Sequence, residues 1–258
     1  MTLKILHVSD IHIRKLKYHT EYREVFAQLY EKAAAEKPDI ILNTGDTFHT
    51  KTDLSSEAVQ MMSELFSNLA DIAPLHMILG NHDMNLRSLG RLDAISPVVD
   101  NLNHPNIHFH KYSDVISLTK DIDMHILSIV DPDNWTKTPN KKKTNIAVYH
   151  GSVKGVKTDM GWTMEHGDID ISELNKYDFA LLGDIHKTNQ MVNSNPRFRY
   201  PGSLVQQNHG EPNDKGFIVW EIENKDSYGV RHCVLENPKP FVTIILTKTG
   251  RLPKNAKV

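Results

Sequence analysis

Five short polar clusters in this chain each follow an apolar run and carry side chains able to bind metal ions. They are Asp10-Ile11-His12, Gly45-Asp46-Thr47-Phe48-His49, Gly80-Asn81-His82-Asp83, His150-Gly151 and Gly183-Asp184-Ile185-His186. Together they hold carboxylates, one amide and five of the chain's fifteen histidines, enough donors for two ions. Two adjacent divalent cations can bind a phosphate ester and generate the hydroxide that cleaves it. Asp10 and His12 are two residues apart, so at the end of a strand both can face one ion. Asp46 follows a glycine turn and can reach between two ions, while Asn81 offers a neutral oxygen. Mixed nitrogen and oxygen donors without thiolate suit manganese, iron or zinc, and the residue types do not choose among them.

Each cluster alone has a plainer reading. Asp-x-His is usually a turn or a surface pair, Gly-Asp after a strand is commonly an Asx turn, and a single His150 is more often a satisfied core histidine. The functional reading rests on five such strand-end clusters occurring in one chain.

The elements that must position them follow from periodicity. Leu3 to Val8 reads as a buried strand, Tyr22 to Glu36 as a helix, and Ile40 to Leu42 as a second strand. Ser55 to Ile72 has Val59, Met62, Leu65, Phe66 and Leu69 at helical spacing, and Pro74 ends it. Leu75 to Leu79 is a third strand. Polar residues at the carboxyl ends of such strands mark the ligand edge of an open α/β sheet. Further strands are expected at Ile107–His110, Val115–Leu118, His125–Val130, Ile146–Tyr149, Phe179–Leu182, Phe217–Ile222 and Val230–Leu235. Strands dominating after βα units imply two sheets packed face to face with helices outside. Asp131 to Thr144 and Ser152 to Asp170 read as long surface loops.

The 258 residues suit one large α/β domain or one domain with a small appendage. The single cysteine, Cys233, excludes an internal disulfide and favours a reducing, intracellular setting. Leu3 to Val8 is too short and interrupted for a signal peptide. No apolar stretch approaches the roughly 20 residues of a membrane span, so a cytoplasmic protein without membrane contact is expected. A net charge of −2 gives no global basic field, so attraction to nucleic acid must come from local patches.

The series Asp-x-His, Gly-Asp, Gly-Asn-His-Asp, His, Gly-x-x-His resembles the calcineurin-like metallophosphoesterases from Leu3 to about His186. Ser9-Asp10-Ile11-His12, Gly45-Asp46-Thr47-Phe48-His49 and Tyr200-Pro201-Gly202-Ser203-Leu204 resemble the nuclease subunit of the SbcCD-type DNA repair complex. Gly183-Asp184-Ile185-His186-Lys187 and Gln206-Gln207-Asn208-His209-Gly210-Glu211 are most similar to the phage form, the recombination endonuclease small subunit. The resemblance implies a four-layer α/β/β/α sandwich of two mixed sheets and two divalent ions, manganese being the expected one. Asp10, His12, Asp46 and His186 would hold one ion; Asp46, Asn81, His150 and Asp184 would hold the other. The cellular family has Gly-His-x-His in the last motif, and here Asp184 replaces the first histidine.

The implied activity is DNA phosphodiester hydrolysis, with exonuclease action on duplex ends and endonuclease action on single strands in recombination and break processing. His82 is the expected proton donor to the leaving oxygen, and His49 a second candidate for handling the scissile phosphate. Asp83 is expected to orient His82 or cap the next turn. Arg14, Lys15, Lys17 and Lys51 lie beside the motifs and are the candidate DNA contacts. Tyr18, His19 and Trp162 are candidates for stacking, whereas Lys141-Lys142-Lys143 reads as a solvated loop.

The competing enzymatic reading is a general metal-dependent phosphoesterase acting on a small nucleotide or phosphate ester. Protein phosphatases of the superfamily carry Gly-Asp-x-x-Asp-Arg-Gly, which Gly45-Asp46-Thr47-Phe48-His49 does not match. A non-catalytic scaffold is disfavoured because the full donor set and His82 are present. The family also implies an SMC-like coiled-coil ATPase partner and a homodimer formed through helices near Arg87 to Val99. Residues 1–237 are read as the nuclease domain. Residues 238–258, with a strand from Phe241 to Leu246, are read as the start of a truncated or absent capping domain.

Overall fold

A computed structural model describes residues 2–51, 54–242 and 244. The first half runs β1 (Leu3–Val8), α1 (His19–Glu36), β2 (Ile40–Asn43), α2 (Ser56–Ile72), β3 (Leu75–Ile78), α3 (Ser96–Leu102) and β4 (Ile107–His110). The second runs β5 (Asp114–Ser117), β6 (Ile122–Leu127), β7 (Thr144–His150), β8 (Phe179–Gly183), β9 (Gln190–Val192), β10 (Asn195–Tyr200), β11 (Gly216–Ile222) and β12 (Tyr228–Val234). They form two six-stranded sheets, ordered β12-β11-β1-β2-β3-β4 and β5-β6-β7-β8-β10-β9. Both are mixed: β1 to β4 are parallel with β11 antiparallel to β1, and β6, β7, β8 and β10 are parallel with β5 and β9 antiparallel at the edges.

Strand alternation builds the layers. In β1, Leu3 and Ile5 face the second sheet, joining Leu42, Ile78, Met124, Ile146, Val148, Phe179 and Trp220 in the core between sheets. Leu6 and Val8 face the other way, onto Val25, Phe26 and Leu29 of α1 and Met62, Leu65, Phe66 and Leu69 of α2. Each such buried side chain contributes about 1.5–3 kcal/mol of transfer free energy. The Ser55 hydroxyl caps α2 by accepting the Ala58 N–H at 3.2 Å. The architecture is the layered metallophosphoesterase sandwich. Its layer over the second sheet is made of irregular chain and short 3-10 turns at Pro132–Asn134 and Ile171–Glu173, with Trp135, Val153, Val156, Leu174 and Tyr177 covering the sheet.

Several expected boundaries move. β6 starts three residues before the expected His125, because Ile122, Met124 and Ile126 face the inner core while His125 bonds Asn145 on the opposite face at 2.9 Å. The β9–β10 hairpin was not expected, since Asn195–Tyr200 carries Pro196, Arg197 and Arg199. It closes at Asn193 and Ser194, both with positive φ (47° and 61°), the primed-turn geometry that matches strand twist. Between Arg87 and Ile95 there is no helix; α3 starts at Ser96, where Asp93 accepts the Ile95 and Ser96 N–H groups at 3.0 and 2.6 Å. The expected strand from Phe241 to Leu246 lies largely outside the described residues. No described helix is long and apolar enough to cross a membrane.

Candidate metal centre

Beyond β1 and β2 the two chains continue side by side. Asp10 N–H donates to the Gly45 carbonyl at 3.0 Å, His12 N–H to the Asp46 carbonyl at 2.9 Å, and Ile13 N–H to the Thr47 carbonyl at 2.8 Å. This path takes left-handed backbone at Asp10 (φ 52°), His12 (48°) and Asp46 (56°), and the turn after β8 takes it at Asp184 (98°). Such conformations cost on the order of 1–3 kcal/mol each and persist where surrounding contacts over-determine them. Close approach explains two glycines. A Cβ on Gly80 would lie 2.1 Å from Asp46 Oδ1, and one on Gly183 would lie 2.3 Å from the Thr44 carbonyl oxygen.

All seven candidate ligands meet here. Asp10, His12 and His186 form one set whose donor atoms all lie within 4.8 Å of one another; Asp10, Asp46 and His150 form another, and His12, Asp46 and His82 a third. His12 Nε2 and His186 Nε2 stand 3.0 Å apart, and Asp10 Oδ1 is 3.7 and 3.8 Å from them. The Asp10 carboxylate is aimed by the Asp184 N–H, at 3.2 and 3.1 Å from its two oxygens. Asp46 turns Oδ2 toward His12 Nε2 at 3.5 Å and Oδ1 toward His150 Nε2 at 3.4 Å. Its Oδ1 also accepts the His82 N–H at 2.8 Å.

His150 tests whether this set fits a cation. Its Nδ1–H donates to the Thr44 carbonyl at 2.7 Å, so Nε2 is left as the inward atom. That Nε2 is buried, makes no hydrogen bond, and faces Asp46 Oδ1 and Asp184 Oδ1 at 3.4 and 3.9 Å. A lone pair aimed at two carboxylates calls for positive charge between them. The titration behaviour says the same: burial opposes a charged ring, yet Asp46, Asp10 and Asp184 raise the His150 pKa well above its usual value. A divalent ion with imidazole and carboxylate donors meets that demand.

Asn81 and Asp184 sit together on the His150 side. The Asn81 amide nitrogen donates to Asp184 Oδ1 at 3.1 Å, and turning the amide by 180° would present its oxygen instead. Burial pushes Asp184 up, His150 pulls it down, and the charges of Asp10 and Asp46 push it up again, to about 6.

His82 is half-buried at the rim. Its Nδ1 donates to the His49 carbonyl at 2.7 Å, which leaves Nε2 free, and its ring meets His12 edge-on at 4.9 Å. His49 is more exposed, 6.0 Å from the His82 ring. Burial and the neighbouring His12 and Arg14 push the His49 pKa down to about 4.

Two residues do work that sequence reading did not assign. Asp83 neither orients His82 nor caps a turn alone. It accepts N–H groups from Asp46 (2.9 Å), Gly80 (3.0 Å), Thr47 (3.0 Å) and Phe48 (3.2 Å), locking the loops after β2 and β3 together. Glu211 accepts from His186 Nδ1 at 3.0 Å, which fixes the tautomer and turns the Nε2 lone pair toward His12 and Asp10. It also takes the Gln207 N–H at 2.9 Å and lies 3.2 Å from Lys215 Nζ. Burial pushes Glu211 up, but His186 and Lys215 outweigh it and hold its pKa near about 2. The signal was present in the Gln206–Glu211 stretch, but its partner is 25 residues away.

A cleft of about 540 Å³ opens beside the histidines, lined by His12, His49, His82, Arg14, Lys15, Lys17 and Tyr18. Lys15 and Lys17 are exposed. Arg14 is partly committed: its guanidinium donates to the Gln207 carbonyl and lies 5.5 Å over the Tyr18 ring. Lys51 donates to the Asn81 carbonyl at 2.9 Å, so it supports the β3 loop. His19 is buried against the Arg14 carbonyl at 2.8 Å and is not available for stacking. Lys143 pairs with Asp123 at 2.7 Å at the amino end of β7, away from the centre.

Comparison with known proteins follows the same lines. The chain is 38% identical over 237 residues to an uncharacterised protein of Acanthamoeba polyphaga mimivirus, covering 86% of this chain and 18% of that one. It is 28% identical over 203 residues to the DNA double-strand break repair protein Mre11 of Saccharolobus solfataricus, covering 71% of this chain and 49% of that protein. The chain thus spans about half or less of these relatives. Among solved structures, a dimetal phosphatase from Danio rerio shares the fold, with a TM-score of 0.55 at 9% identity over 91% of this chain and 99% of that one. Residues 3–188 match the calcineurin-like phosphoesterase family, and with that match spanning most of its length the chain belongs to this family of metal-dependent hydrolases.

Proposed function

We propose that the protein is a DNA nuclease using two divalent ions, preferentially manganese, of the SbcCD type and akin to the phage recombination endonuclease small subunit. It acts as an exonuclease on duplex ends and an endonuclease on single strands. The observation that carries this reading is the Asp46 carboxylate, whose two oxygens face different imidazoles, at 3.5 and 3.4 Å, beside a cleft edged by cationic side chains. The similarity to Mre11 supports DNA as the substrate.

Ions bound there supply Lewis acidity toward the phosphate oxygens and a water acidic enough to ionise near neutral pH. The chain's own residues do the rest. Asp46 would be the ligand common to both positions, and Asp10 and Asp184 would balance the charge. His82, held by the His49 carbonyl at 2.7 Å, aims Nε2 at the substrate and hands a proton to the departing oxygen. His49, neutral at physiological pH, donates an uncharged N–H. Lys15 and Lys17 hold neighbouring phosphates, with Arg14 closing that wall. An SMC-like coiled-coil ATPase and a second copy of the chain complete the proposed assembly, on the strength of the motif resemblance.

The test is hydrolysis by manganese-loaded protein of end-labelled duplex DNA, single-stranded DNA and bis-p-nitrophenyl phosphate. Cleavage of both DNA forms supports the proposal. Turnover of the small ester with no cleavage of any DNA end or strand overturns it in favour of a general phosphoesterase.

A further inference from the structure

The connection between β7 and β8 contains a feature that the hydrolytic centre does not use. From Val156 to Met164 it folds into a small hairpin. Met164 N–H donates to the Val156 carbonyl at 2.9 Å, Thr158 N–H to the Trp162 carbonyl at 2.9 Å, and Gly161 N–H to the Thr158 carbonyl at 2.9 Å. Gly161 takes φ 78° at the turn. The tip exposes two large apolar side chains, Met160 at 76% and Trp162 at 66%, while Trp220 is fully buried.

The hairpin is fixed to the centre. Asp159 pairs with Lys215 Nζ at 3.1 Å, with side chains only 5% and 1% exposed. The same Nζ donates to the His186 carbonyl at 2.7 Å. Removing one partner of such a buried pair leaves an uncompensated charge, so the tip is held in register with a candidate ligand. Between tip and ligands lies a second cleft of about 310 Å³, with Met160 and Met164 on one wall and Asp184, His186 and Glu211 on the other. That volume falls in the range of small-ligand sites, about 300–1,000 Å³. His186 lines both clefts, so they flank it with different chemistry: cationic toward Lys15 and Lys17 on one side, and on the other the thioethers of Met160 and Met164 facing the acidic wall of Asp184 and Glu211. A phosphodiester at the centre has a nucleoside on each side. Cations suit its phosphates, while the thioethers lining the second cleft and the indole of Trp162, exposed on the same hairpin tip, suit the face of a base.

We propose that the tip Met160-Gly161-Trp162 is the contact for the nucleobase next to the reacting phosphate. This rests on the nuclease reading above and makes the enzyme favour a base, of any identity, at that position.

The test uses single-stranded oligonucleotides with one cleavable linkage, carrying either a normal nucleotide or an abasic residue on each side in turn. Wild-type protein with manganese is expected to favour a base on one side by roughly 10-fold in kcat/KM, carried by KM. Trp162→Ala is expected to narrow that preference to within about twofold, and Trp162→Phe to restore most of it, both with unchanged Tm. Oligonucleotide titration of His82→Ala protein should quench tryptophan fluorescence, and the quench should vanish in the added Trp162→Ala background. Equal cleavage of base-bearing and abasic substrates by wild type overturns this proposal and leaves the nuclease reading standing. A uniform loss on both substrates in Trp162→Ala also overturns it. Failure of wild type to cut any oligonucleotide while hydrolysing bis-p-nitrophenyl phosphate removes the nuclease reading, and this proposal with it.

Discussion

Around His12 and His186 the centre offers two imidazole nitrogens with the carboxylates of Asp10 and Asp46. Around His150 it offers one imidazole nitrogen with the oxygens of Asp46 and Asp184 and the side-chain amide of Asn81. The supports differ too. His186 is held by a charged carboxylate, Glu211, whereas His150 is held by the neutral Thr44 carbonyl. A nitrogen-rich position suits borderline metals and an oxygen-rich one suits harder ions. Under the proposed two-ion reading, the difference teaches that the two positions need not fill with equal affinity, although both would draw on Asp46.

The sharpest way to break this comparison is to remove what the halves share. Asp46→Asn should lower turnover by roughly 1,000-fold or more and reduce bound manganese to one ion or fewer per chain, read by metal analysis after dialysis. His82→Ala acts on neither half. It should leave the metal content unchanged and lower kcat by on the order of 100- to 1,000-fold; unchanged turnover would remove His82 from proton transfer.

Glu211→Gln loosens only the nitrogen-rich half. The ion at that position should lose about 10–100-fold in affinity by calorimetry, with the other isotherm step unaltered. Acid acts on the oxygen-rich half through a carboxylate as well as an imidazole. Asp184, raised to about 6, holds a proton below that pH, and an incoming ion must displace it. Manganese affinity at that position should therefore fall by at least about tenfold per unit below pH 6, and it should already be falling at higher pH, because His150, raised well above its usual pKa, also holds a proton there. Asp184→Asn should remove the share of that slope that sets in below pH 6 and leave the share due to His150.

The ligand residues were legible because each directly follows a strand that announces itself as an apolar run. Asp10 and His12 follow β1, Asp46 follows β2, Asn81 follows β3, and Asp184 and His186 follow β8. Asp83 was not legible in its true role, because three of its four N–H donors come from residues 46 to 48, about 36 positions away. Glu211 was hidden for the same reason. β9 is the edge strand of its sheet and β10 lies next to it, with Pro196, Arg197 and Arg199 interrupting any apolar run, so periodicity was silent there. The cover of the second sheet by loops was likewise beyond reach, since Trp135, Val156 and Tyr177 belong to no regular repeat. Lys51 looked like a phosphate contact from its neighbourhood alone, and only the fold reveals that it braces Asn81.

The candidate ligands hang from separate slabs of the sandwich: Asp10, His12, Asp46 and Asn81 from the strands of one, His150, Asp184 and His186 from those of the other. The greasy interlayer that glues the slabs is therefore also the jig that sets interatomic spacing in the cavity. A slip of one slab past its neighbour by a single residue, about 3.3 Å, would carry His150 out of reach of Asp46. Volume changes at Trp220 or Phe179, remote from any cation, should consequently be felt as misalignment of the reactive groups as well as lost thermal resistance.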